Sequence, residues 1–433
     1  MTDTLAPQTP AAGERPAHRD PNVLRWLGAY ASSMLGDSVY HLALSWAAVQ
    51  AGTPARAGAV IAASALPRAL LMLGGGVVAD RLGPRRVVIG SDAVRCAAVL
   101  AVAALLHVTR PGLWPLALLA LVFGTVDAVF LPAVGALPAR ITGRGQLARV
   151  QGMRGLAIRC AGVLGAPLGG LGVAAGGAPA AFALAGLLIA VSVPLLVSLR
   201  IRALPAEEGA GGRTGDGTEE GTGGRAGGGR PGVRSDLVAG LRHIRGHRVL
   251  APLMLTIALG DIGFVGPLNV GLTLLADRRG WGASGMGWVL AGFGVGAGAA
   301  SLLITVRGRL PHAGRAAGWA ILAGSVAIGA LGHVPALAGA VAVAVLVGLF
   351  TGLSGALCGA LLQTQADPAC LGRVTAVAGL VSLGLAPLSM PFAAAAIGAW
   401  GLGPVFVASA AVCGLGGAVA LCAPDLRRAE LPG

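Results

Sequence analysis

The chain has 433 residues, 55% of them hydrophobic and only 12% charged, about half the charged share of a soluble domain, so water is not its main solvent. Its net charge of +14 comes from arginine alone, since none of the 32 basic residues is lysine, and most of these arginines fall between apolar runs and not in a patch, which argues against a nucleic-acid surface. Six cysteines without a CxxC, mostly within apolar runs, give no disulfide framework and no metal site.

The first 23 residues are polar and rich in Pro and Ala, without the charged-then-apolar pattern of a cleavable signal, so the first helix is expected to remain in the mature protein. Apolar runs then recur at 24–49, 57–79, 86–108, 113–136, 147–173 and 178–199, and again at 249–276, 282–306, 316–332, 336–361, 374–397 and 403–422. A spanning helix needs about 20 apolar residues, because hydrocarbon offers no partner to backbone N–H and C=O groups. These runs are therefore numbered spans 1 to 12. The 72 glycines fit such helices, since small residues let backbones approach closely in a membrane.

Between spans 6 and 7, residues 201–235 contain almost no large apolar side chain and predict a flexible linker. Residues 236–248 then predict a short basic amphipathic helix on the membrane surface. The domain expectation is a tail (1–23), a first bundle (24–200), the linker (201–235), the surface helix with a second bundle (236–422) and a C-tail (423–433).

Arginine placement sets the orientation. One side carries Arg15, Arg19, Arg25, Arg81, Arg85, Arg86, Arg140, Arg144, Arg149, Arg307, Arg309, Arg315, Arg373, Arg427 and Arg428, and the other only Arg56, Arg110, Arg278 and Arg279. Both termini and the linker are thus expected in the cytoplasm, with the chain in the cell (inner or plasma) membrane. The chain also repeats itself: Leu35-Gly36-Asp37 of span 1 recurs as Leu259-Gly260-Asp261 in span 7, and Ala166-Pro167-Leu168 of span 5 as Ala386-Pro387-Leu388 in span 11. The fold expectation is an all-α membrane protein of twelve transmembrane helices in two pseudo-symmetric six-helix bundles, related by an axis along the membrane normal.

The 2–3 loop, Gly76-Val-Val-Ala-Asp80-Arg81-Leu-Gly83-Pro-Arg85-Arg86, resembles motif A of the major facilitator superfamily. That resemblance implies a gating role for Gly76, Asp80, Arg81, Gly83, Arg85 and Arg86, which would latch the two halves. Span 5 carries Gly162-Val-Leu-Gly165-Ala-Pro167-Leu-Gly169-Gly170, similar to the superfamily's antiporter motif C, although the proline falls one place late. Close helix packing is the alternative reading of the same glycines. Leu35-Gly36-Asp37, Leu66-Pro67-Arg68, Asp127 to Pro132, Leu137-Pro138-Ala-Arg140 and Leu361 to Val374 resemble the bacterial branch of enterobactin and macrolide exporters. Span 4 has no arginine to serve as motif B, so a standard proton relay is not expected.

Ionisable groups inside a membrane are costly and each suggests function. Asp37 lies near mid-depth in span 1 and Asp261 at a similar depth in span 7, so a two-fold axis would set both beside a central cavity as proton-coupling candidates. His41 follows Asp37 by one turn and offers either a shared proton or a core contact. Asp92 and Arg95, spaced i, i+3, are expected to form an intramembrane ion pair; Asp127 suits a structural or gating role. Arg154 and Arg159 have no acid on their own helix, and one of them facing the cavity would suit an anionic substrate.

No HExxH, P-loop, dinucleotide or nucleophile motif appears, so neither an enzyme nor a cofactor is expected. The functional expectation is a secondary transporter, a monomer in the bilayer that exchanges protons for a small, partly hydrophobic compound such as a drug, antibiotic or siderophore-like metabolite. Uptake by symport, or a receptor without flux, are the alternatives.

Overall fold

The computed structural model describes residues 19–65, 67–68, 70–71, 78, 81–109, 112–142, 146–199, 241–307, 312–366 and 371–430. Within them every regular element is helical. Residues 1–18, Gly76 and Asp80 of the 2–3 loop, and the 201–235 linker lie outside the described residues.

Span 1 is the helix Pro21–Ala51, opened by Asp20, whose carboxylate accepts the Asn22 amide at 2.8 Å, and by a proline where a missing N–H costs nothing. Among the described residues, eight helices are long and apolar enough to cross a membrane. One of them, Arg149–Val197, serves as spans 5 and 6: its backbone leaves helical geometry at Gly176 and at Gly177, whose φ of 70° lies in the left-handed region that favours glycine. Span 1 carries a polar load, span 2 begins as Pro54–Ala62, and span 11 is broken, so among the described residues each of the twelve expected spans has helical residues.

Spans 7 and 11 both depart from regular α-helix part-way across. Span 7 passes from Leu250–Gly266 through a π-helical turn, Pro267–Gly271, into Leu272–Arg278. Span 11 passes from Leu371–Gly379 through a π turn, Leu380–Leu385, and a 3₁₀ turn, Ala386–Leu388, into Ser389–Trp400. Pro267 and Pro387 each lack the N–H that a regular ladder needs, and such breaks in a membrane sit where backbone lines a cavity.

In the first half, span 1 packs along the Leu147–Val197 helix and span 3 against that helix and span 4; in the second, span 8 packs on span 10, and span 9 on spans 10 and 12. Glycines set these distances. A Cβ on Gly296 would stand 2.0 Å from the Val345 carbonyl oxygen, and one on Gly348 1.9 Å from that of Phe293, so spans 8 and 10 touch backbone to backbone. Of the expected surface helix, residues 241–248 are described; 241–246 are helical and 247–248 are not, with Ile244 buried in the second-half core and Arg242 and Arg245 exposed.

The halves meet chiefly where span 5 crosses span 8 and span 2 crosses span 11. Those contacts lie toward the arginine-poor end, where Gly170 fits against the Ala283 carbonyl, Gly287 against that of Ala166, and Gly58 against Met390 and Ala394. Gln50 at the end of span 1 donates to Asp277 at the end of span 7 at 2.7 Å. At the arginine-rich end, by contrast, the core of Val23, Trp26, Phe130, Leu137, Val150 and Leu196 belongs to the first half alone. The described residues thus form a molecule sealed at its arginine-poor end.

Candidate functional site

Arg95 of span 3 is fully buried and collects the acids of the first half. Its Nη1 lies 2.8 Å from Asp37 Oδ2 of span 1 and 3.0 Å from Oδ1, and its Nη2 lies 3.3 Å from Asp127 Oδ1 of span 4. The expected Asp92–Arg95 pair is present at the looser distance of 4.0 Å. Asp92 instead accepts hydroxyl hydrogen bonds from Ser33 at 3.1 Å and from Ser192 at 2.5 Å, one from span 1 and one from span 6. The guanidinium is also stacked over Phe130, 3.9 Å from the ring centroid. Such a plane of delocalised charge suits a site that must meet two carboxylates at once.

The cluster continues toward the interior. Asp127 Oδ2 faces Arg68 of span 2 at 3.8 Å, and Arg68 lines a cavity of ≈ 540 Å³ between the halves. Buried polar groups therefore run without a break from the cavity through Arg68, Asp127 and Arg95 to Asp37 and Asp92. Three carboxylates stand against two guanidinium groups, so the fully ionised cluster carries one net negative charge. His41 lines the same cavity but faces the Tyr40 ring and has no hydrogen bond to Asp37 among the described residues. Tyr40 itself is stacked on Phe123, with centroids 3.7 Å apart.

The second half is not a chemical copy of the first. Asp261 lines a second cavity, of ≈ 670 Å³, and accepts a short hydrogen bond from Ser382, in the π turn of span 11, where Asp37 has a guanidinium. The two cavities share Arg159, Phe293, Ala297 and Ser382 and so are neighbours across one wall. Of the two candidate arginines within span 5, Arg159 is the one in the cavities; Arg154 lies over the Tyr30 ring at 5.1 Å.

The motif C-like glycines divide by position. Gly165 and Gly169 seat span 1 at Ser38, Val39 and Leu42; Gly170 meets span 8; Gly162 has open space where a side chain would be and lines the central cavity. Pro167 lies inside the helix, on the backbone that Gly287 approaches from span 8. Of the motif A residues that are described, Gly83 has a φ of 82° and starts span 3, while Arg85 donates to the Leu196 and Val197 carbonyls at the end of span 6. Capping those end carbonyls also opposes the negative end of the helix dipole. Arg81 and Arg86 are exposed.

Ser33, Ser192, Ser382 and the Gln50–Asp277 contact have no signature in the sequence, because a lone hydroxyl or amide in a span gives no charge or period to notice. The two interrupted spans were signalled only by Pro267 and Pro387.

Two helical bundles of long apolar helices that enclose a cavity between them and are sealed at one end define a polytopic membrane transporter. The family model of the Major Facilitator Superfamily matches residues 26–386, and the chain belongs to that superfamily. It is accordingly a secondary transporter of a small molecule and not an enzyme.

No curated protein matches the sequence significantly. Among solved structures, a bacterial homolog to the human lysosomal transporter Spinster, in an inward-facing and occupied conformation, is similar over 95% of this chain and 98% of that one, with a TM-score of 0.67 at 14% identity. A POT family transporter in complex with 5-aminolevulinic acid gives a TM-score of 0.68 at 11% identity over 93% and 96% of the two chains. The D-xylose-proton symporter gives 0.62 at 13% over 91% and 95%. At these identities the likeness is one of fold.

Proposed function

We propose that this transporter is a proton-driven exporter of a small, partly hydrophobic compound, worked by rocking of the two halves about the central cavity with both termini in the cytoplasm. The observation that carries this reading is the odd charge count of the Asp37–Arg95–Asp127–Asp92–Arg68 cluster. One added proton makes the cluster neutral, and it is in contact with the cavity through Arg68. Protonation of Asp37 or Asp127 would weaken its hold on Arg95 and loosen span 1 from spans 3 and 4, and this couples a proton to helix movement.

Arg95 on span 3 supplies the cation that span 4 lacks, so the absence of a motif B arginine does not remove the means of coupling. Export is favoured over uptake by the glycine pattern of span 5 and by the resemblance to enterobactin and macrolide exporters. The fold by itself suits either direction, as the similarity to a proton symporter makes plain.

The test is flux in proteoliposomes loaded with cationic, neutral and anionic fluorescent tracers under an imposed pH gradient. Wild-type protein should move at least one tracer against its gradient, and Asp37→Asn should remove the response to pH. Undiminished pH dependence in Asp37→Asn would take Asp37 out of the mechanism, and tracer movement only down its gradient would end the proton-driven reading.

A further inference from the structure

The charge lining the central cavity has one sign. The guanidinium groups of Arg68 and Arg159 face it, and no carboxylate does among the described residues. Arg68 is engaged by Asp127, whereas Arg159 has no acidic partner among the described residues; its one hydrogen bond, at 3.4 Å, goes to the Ala297 carbonyl of span 8. A guanidinium has five N–H donors, so most of its capacity and all of its charge are unspent. One turn further along span 5, Gly162 has no side chain and nothing within 4 Å of where a Cβ would stand, so the flank of Arg159 is open to an occupant.

The neighbouring cavity in the second half supplies the rest of a site. Phe264 and Phe293 line it as a tilted pair with centroids 5.7 Å apart, and Ile321 and Leu362 line it further in. Its one carboxylate among the described residues, Asp261, accepts the Ser382 hydroxyl. Arg159, on the shared wall, belongs to both cavities. An apolar body against the two phenylalanines thus brings a polar end to Arg159, the one cation lining both cavities without an acidic partner among the described residues.

We propose that the substrate is an amphiphile with one oxyanionic head, a carboxylate, docked on Arg159, with its apolar body in the second-half cavity against Phe264 and Phe293. One unpaired guanidinium matches a single charge, and a dianion would stay half-compensated in a low-dielectric site. Because Arg159 comes from the first half and both rings from the second, such a molecule bridges the halves. The inference rests on the transport reading only in taking this cavity as the substrate site, and it needs neither proton coupling nor export.

The test is calorimetric titration of the purified protein in nanodiscs at neutral pH with 4-phenylbutanoate, 4-phenylbutan-1-ol and 4-phenylbutylamine, with empty discs subtracted. The carboxylate should bind most tightly, and Arg159→Gln should weaken it about tenfold or more while leaving the alcohol unchanged. Arg159→Lys, which keeps the charge, should retain part of the preference and controls for folding. An alcohol that binds as well as the carboxylate, an unchanged preference in Arg159→Gln, or binding of none of the three probes would each overturn the proposal. Since the readout is binding without flux, failure of proton coupling leaves this result standing.

Discussion

Arg95 Nη1 stands 2.8 Å from Asp37 Oδ2 and 4.0 Å from Asp92 Oδ1, so the arginine serves the acid of another span before the acid on its own. Removing one partner of a buried pair leaves the other charge uncompensated, at a cost of about 3–5 kcal/mol. Arg95→Met should therefore lower the thermal midpoint in detergent steeply. Adding Asp37→Asn to that background should recover part of the loss, since one stranded charge is gone. Equal midpoints for Arg95→Met and wild type would show that the cluster is not held by this arginine.

Span positions were legible because an apolar run of about 20 residues has few alternatives, and apart from the end of span 2, which lies outside the described residues, the helix ends fall within a few residues of the runs. The Arg95–Asp37 contact was hidden. The i, i+3 spacing of Asp92 and Arg95 is visible locally, but a partner 58 positions away depends on how three helices are rotated against one another. The Leu-Gly-Asp repeat singled out one carboxylate in each half and implied like surroundings for the two. Their partners differ, guanidinium for Asp37 and hydroxyl for Asp261, because a three-residue repeat does not specify which side chains the neighbouring helices bring to it.

The Gln50–Asp277 hydrogen bond joins the halves at the arginine-poor end and is exposed, so it offers a handle on the cycle. Cysteines at both positions, joined by a short bis-maleimide, should hold that end shut and stop transport. A long flexible linker between the same sites should leave transport largely intact. Full activity with the short cross-link in place would mean that this end does not open.

Gly287 faces the Ala166 carbonyl so closely that a Cβ would stand 2.6 Å from the oxygen, a backbone atom that cannot rotate away. Gly287→Val should therefore wedge spans 5 and 8 apart at the closed end and favour the opposite state. The measurement is labelling of Ser284→Cys, beside the same contact, by a membrane-impermeant maleimide, and Gly287→Val should accelerate it. Unchanged labelling in a stably folded variant would show that this crossing does not form the seal.

His247 ends the basic surface segment and accepts the Val249 and Leu250 amides on Nδ1, both at 3.2 Å. The first turn of a helix has amides without carbonyl partners, and the ring supplies an acceptor where Ser or Asp usually does. His247→Ala should cost about 1 kcal/mol locally and speed hydrogen exchange across residues 248–252, while His247→Asn, which keeps an acceptor, should restore protection. Ile244, buried one turn earlier, is untouched by either change, so the surface helix should stay docked in both variants. Faster exchange over residues 241–246 as well would mean that His247 anchors the whole segment and not only the start of span 7.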